Sequence, residues 1–148
     1  MKRAGGFTLV EMMVVVSIVI VLTGVGVPAM QDFIANQRVK SAASELFSDI
    51  LQARSEAIKR NTDVTLAPAG SWNQGWSVAS PVAGEPDLVA HGPLGSVSIT
   101  GPLTLTYTPE GRVRGGSSPA FSFSSASGKP RCLTVDLGGR PNVQPKAC

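Results

Sequence analysis

The chain has 148 residues, a formal net charge of +3 and a single histidine. That length allows one small domain beside any N-terminal anchor. One histidine and two cysteines leave almost no material for a His-based metal site or a His-paired nucleophile, so no enzyme and no cofactor are implied.

Lys2 and Arg3 precede an apolar run from Phe7 to Met30, 24 residues or about 36 Å as a helix, enough to cross a bilayer with some tilt. The run is too long for a secretory h-region and no A-x-A-like cleavage site follows it, so it is expected to stay as a single anchor. The positive-inside rule places Lys2 and Arg3 in the cytoplasm and everything from Gln31 onward outside the inner membrane. Thr8, Ser17 and Thr23 bring hydroxyls into the run, and Glu11 brings its only carboxylate. A charge at the centre of a bilayer helix costs roughly 2.5–3.5 kcal/mol on insertion scales, so Glu11 needs a partner or a proton.

Beyond the anchor, Val39, Ala42/Ala43, Leu46/Phe47, Ile50/Leu51, Arg54 and Ala57/Ile58 recur at steps of three and four, drawing an apolar stripe along a helix. Arg38, Lys40, Glu45, Asp49 and Glu56 fall off that stripe, and Asn61 is a C-cap candidate. Phe7 to Arg60 therefore reads as one helix, with a kink expected at Pro28. From Thr62 the texture is β. DVTLA, GWSVA, DLVAH, SVSIT, LTLTYT, AFSFS and RCLTVDL read as seven short strands separated by Gly and Pro, suggesting one or two antiparallel sheets packed on the helix stripe. SPVAGEPD and RGGSSP read as exposed loops. The organisation is thus a leader at 1–6, an anchor at 7–30, an amphipathic helix half at 31–61 and a β-rich head at 62–148, an α+β fold.

Charge is unevenly spread. Residues 61–108 balance at −3, whereas 109–148 carry Arg112, Arg114, Lys129, Arg131, Arg140 and Lys146 against Glu110 and Asp136. Such an excess suits either an anionic partner or a solvated surface. Cys132 and Cys148 are too few for structural zinc without other ligands, and both lie in the outer part, where a disulfide persists. A bridge is favoured over two free thiols and would contribute about 3 kcal/mol in the chain-entropy account. Trp72 and Trp76 read as packing residues flanking a turn at Gly75, and His91 as a loop or strand-end residue.

Two motifs carry a resemblance. The basic leader followed by Gly6-Phe7-Thr8-Leu9-Val10-Glu11 and a long apolar helix resembles the class III signal of type IV pilins and type II secretion pseudopilins. Trp72-Asn73-Gln74-Gly75-Trp76 resembles the W-x-x-G-W stretch of GspH/FimT-type minor pilins, and Arg131-Cys132 with Gly139-Arg140 fits the FimT-like branch. The resemblance implies a long-helix pilin fold, cleavage by prepilin peptidase between Gly6 and Phe7, and N-methylation of Phe7. It also makes Glu11 an assembly register, pairing with the new amine of a neighbouring pilin. Three roles follow: a minor pilin that primes or caps a pilus, a minor pseudopilin of type II secretion, or a receptor for double-stranded DNA during uptake. The last would draw on Arg131, Arg140 and Lys146 in a disulfide-closed loop, with Arg112 and Arg114 nearby. FimT-like proteins active in uptake carry Gly-Arg-x-Arg; here Gly139-Arg140-Pro141-Asn142 lacks the second arginine.

Overall fold

The computed structural model describes residues 7–148, with the backbone alone for Val25. One helix, α1, runs from Leu9 to Arg60 over 52 residues. Thr8 caps its start: the side-chain oxygen accepts from the Glu11 amide at 3.2 Å, satisfying one of the donors a helix leaves free. Asn61 ends it in the left-handed conformation (φ 52°), its amide turned back to the Ala57 and Ile58 carbonyls. The helix continues through Pro28, where the missing N–H leaves the Gly24 carbonyl without its usual partner.

Eight strands follow: β1 (Val64–Pro68), β2 (Trp76–Val78), β3 (Val89–His91), β4 (Ser98–Thr100), β5 (Leu105–Tyr107), β6 (Ala120–Ser124), β7 (Arg131–Val135) and β8 (Pro141–Gln144). They form two four-stranded antiparallel sheets, ordered β3-β2-β1-β5 and β4-β6-β7-β8. The first seven coincide with the seven expected runs. β8 is an addition, in a segment whose Pro and Asn argue against a strand; Pro141 is tolerated because it opens an edge strand, where one donor is dispensable.

The stripe on the second half of α1 does the joining. Val39, Ala42, Ala43, Leu46, Ile50, Ala53 and Ala57 are buried against Leu66, Trp76, Val78 and Tyr107 from one sheet and Phe121, Phe123, Leu133 and Val135 from the other. Four alanines on that face let the sheets approach closely while the aromatic residues fill the volume between. Leu51 and Ile58, at the stripe's margin, remain exposed. The first half of α1 is apolar (mean hydropathy 2.5 over its best 18-residue window) and none of that window is buried.

Candidate assembly helix and basic head surface

In the apolar half of α1 each hydroxyl is answered locally. Ser17 donates to the Met13 carbonyl at 2.7 Å and Thr23 to the Val19 carbonyl at 2.8 Å, so neither carries an unmet hydrogen bond into an apolar medium. Glu11 differs. It lies in the first turn, where the helix dipole favours an acid, yet among the described residues its carboxylate has no cationic partner. Phe7 sits four residues before it, just ahead of the helix start at Leu9. Gly6 lies outside the described residues.

The head separates basic residues that the sequence sets close together. Cys132 and Cys148 form a disulfide with Cα atoms 4.9 Å apart, tying the start of β7 to the segment after β8. What it closes is a hairpin, not an open loop: Cys132 pairs with Gln144 and Val135 with Pro141. Arg131 and Lys146 stand at the bridged end of this hairpin, and Arg140 at its turn, about 13 Å away at ~3.3 Å per strand residue. The two ends also meet different parts of α1. Lys129 donates its amide to Asn36 Oδ1 at 2.6 Å, near the anchor. Arg54, about 27 Å further along the helix, donates to the Gly111 carbonyl at 3.0 Å and the Gly138 carbonyl at 3.1 Å.

At that far end the turn before Arg140 is locked. The Tyr107 hydroxyl donates to the Gly139 carbonyl at 3.1 Å, and burial pushes that phenol above its ordinary range. Gly139 has φ 81°, and a Cβ there would lie 2.1 Å from the Gly111 carbonyl oxygen, so two backbones cross where no side chain fits. Arg112 and Arg140 are exposed on the two crossing turns, whereas Arg114 pairs with Asp63. The five candidate DNA-contacting bases therefore divide into Arg112, Arg114 and Arg140 at one end and Arg131 and Lys146 at the other. A single basic loop is not what the chain builds.

The W-x-x-G-W stretch explains itself. Trp72–Gln74 is a 3₁₀ turn, and Gly75 (φ 103°) brings its backbone so near β3 that a Cβ would lie 2.0 Å from the His91 carbonyl oxygen. Trp72 packs edge-on against Phe121 at 4.9 Å and donates its indole N–H to the Pro102 carbonyl at 2.8 Å. Trp76 is fully buried and donates to Asp49 Oδ2 at 2.7 Å. His91 stacks on Trp76 and holds Nε2 3.0 Å from the same oxygen, with Glu45 at 4.0 Å from Nδ1. Asp49, off the apolar stripe by helical spacing, is only 6% exposed and is the one buried charged residue among those described. Its position beside the stripe gave no signal; the Trp76 indole donor and the nearby His91 ring, both distant in sequence, make burial tolerable.

Comparison with known proteins agrees with this architecture. Residues 42–139 match the family described as type II transport protein GspH, and residues 1–27 match the prokaryotic N-terminal methylation motif. Two curated fimbrial proteins of Pseudomonas aeruginosa are 38% identical over 64 residues, and that stretch spans 43% of this chain and 41% of theirs. The fold is similar to the type IV minor pilin FimU of Pseudomonas aeruginosa (TM-score 0.66, 23% identity, 78% of this chain and 96% of that one). It is also similar to the minor pseudopilin EpsH of the Vibrio cholerae type 2 secretion system (TM-score 0.58, 13% identity, 73% and 97%). With the long helix, the two-sheet head and the methylation motif in place, the chain belongs to the family described as type II transport protein GspH.

Proposed function

We propose that the protein is a minor type IV pilin, a filament subunit that helps prime or cap pilus assembly. The observation that carries this reading is an uncovered apolar half-helix, holding one carboxylate near its start, in front of a GspH-family head. In this reading, prepilin peptidase cuts between Gly6 and Phe7 and Phe7 is N-methylated. The helix half from Phe7 to Met30 sits in the inner membrane and the head in the periplasm until extraction into the filament. Cleavage places an amine at Phe7, and Glu11 pairs with the amine of an adjoining subunit. That pairing offsets the cost of a carboxylate in lipid only when the neighbour is in register. Membrane stability and assembly then respond oppositely to Glu11→Val: the variant inserts better and joins the filament worse. Mass spectrometry of extracted protein, together with detection of both forms in sheared pili, tests this. Intact Met1 in peptidase-competent cells, or normal incorporation of Glu11→Val, would refute it.

A second reading, a minor pseudopilin of type II secretion, is favoured by the family match to the type II transport protein and by the fold shared with EpsH. Deleting the gene and scoring piliation and protein secretion side by side separates the two. A role in DNA uptake narrows to Arg112 and Arg140, which could meet duplex phosphates together from the crossing turns.

A further inference from the structure

The unpaired bases near the anchor form a group of their own. The turn between β6 and β7 lies against the first exposed turns of the head-bearing half of α1. Gly128 sits so near that a Cβ would be 3.0 Å from the Ala35 carbonyl oxygen, and the Lys129 amide bonds Asn36. Asn36 is six residues beyond Met30, about 9 Å along the axis from the end of the apolar run. The polar headgroup layer on each side of a bilayer is roughly 5–8 Å deep. Lys129 therefore stands at its outer boundary, within reach of a long side chain.

Arg38 lies on the same stretch of helix and donates to the Ser96 hydroxyl at 3.0 Å; Lys40 is exposed one turn further on from Asn36. Arg131 follows Lys129 by two residues, and the disulfide fixes the segment carrying Lys146 beside it. None of these five bases is in an ion pair among the described residues, whereas Lys59, Arg60 and Arg114 at the other end are paired. Asp32 is the one acid on residues 31–44. Phe33, 60% exposed, adds an aromatic ring at the depth where such rings favour the bilayer interface.

We propose that the anchor-proximal end of the head, built on Arg38, Lys40, Lys129, Arg131 and Lys146, docks on the anionic phospholipid headgroups of the membrane that holds the anchor. The inference rests on the membrane-anchor reading above. Charge complementarity identifies the occupant: Lys129 stands at the outer edge of the headgroup layer, and Arg38 and Lys40, about 12 and 15 Å beyond Met30 along the helix, follow within about a Debye length of the one surface that the helix itself brings near them. Docking would hold the head against the bilayer before extraction and would be released by salt, since the attraction falls off within a Debye length.

Lysine acetylation footprinting of the full chain in nanodiscs tests it. One set of discs is neutral phosphatidylcholine and the other contains phosphatidylglycerol. We expect Lys40, Lys129 and Lys146 to be protected in the anionic discs and Lys59 to be unchanged, with the protection lost in high salt. A Lys129→Gln/Lys146→Gln chain should label Lys40 more readily in anionic discs, by about fivefold for each base removed, at unchanged unfolding midpoint. Equal labelling in both discs overturns the proposal. So does protection in neutral discs produced by inorganic phosphate alone, which would make this an ion site, or protection seen only with other pilins present, which would make it a subunit interface. Failure of the chain to enter either disc would overturn the anchor reading and this proposal together. Insertion without lipid-dependent protection would overturn this proposal alone.

Discussion

Replacing Asp49 by alanine tests how the head is pinned to its helix. The carboxylate accepts from the Trp76 indole at 2.7 Å and lies 3.0 Å from His91 Nε2. Trp76 has no exposed surface, so its N–H would be left without an acceptor, at about 1–3 kcal/mol. Loss of the second contact adds less, because the His91 ring is 31% exposed and water can serve it. The sum is about 2–4 kcal/mol. With a urea slope of about 1.5 kcal/mol/M, the unfolding midpoint should fall by roughly 1.3–2.7 M. Asp49→Asn, which keeps an oxygen for Trp76, should lose less than half of that. Urea titration followed by tryptophan emission suits the question, since Trp72 and Trp76 are both buried reporters. A fall of less than about 0.5 kcal/mol for Asp49→Ala would refute the reasoning, because a buried donor would then be dispensable.

Gly139→Ala should cost about 3 kcal/mol or more, because it meets both a positive φ and the Gly111 backbone, while Gly138→Ala, which approaches only the Asp136 carboxylate, should cost under about 1; urea midpoints decide it. Acid should weaken the fold through Glu56 and Glu85. Arg60 holds the Glu56 carboxyl below its ordinary value of 4.5, and the Ser80 hydroxyl, then Arg60, does the same for Glu85. Lowered native values mean stability that is complete above 4.5 and lost as pH falls through them, so wild type should weaken on acidification and Arg60→Gln should show a flatter profile between about pH 6 and about pH 3. Duplex DNA binding by the protein, measured by anisotropy, should be weak, fall as salt rises and drop further in Arg140→Gln; no binding at low salt would end the uptake role.

Most of the fold was legible because it is written in local periods. The stripe from Val39 to Ala57 repeats at helical spacing, and AFSFS alternates as a half-buried strand does; both are found where expected. β8 escaped because its residues are poor strand formers and its existence depends on pairing with β7. The burial of Asp49 escaped for a similar reason: its donor Trp76 arrives from β2 and its neighbour His91 from β3, and no helical pattern encodes them. The basic tail misled in the opposite direction. Nearness in sequence suggested one patch, but an antiparallel hairpin sends residues a few positions apart to opposite ends.

The disulfide turns the β7–β8 hairpin into a covalent ring. β8 is the outermost strand of its sheet, the position from which strands are most easily peeled or exchanged with another chain. Inside a ring it has no loose end to lead such an exchange. A protease cutting the exposed Asp136–Gly138 turn would open the ring without releasing a fragment, and the damage would be invisible until the bridge was reduced. Protein made where thiols stay reduced would carry the same strands with a free edge, open to the exchange that the oxidised form resists.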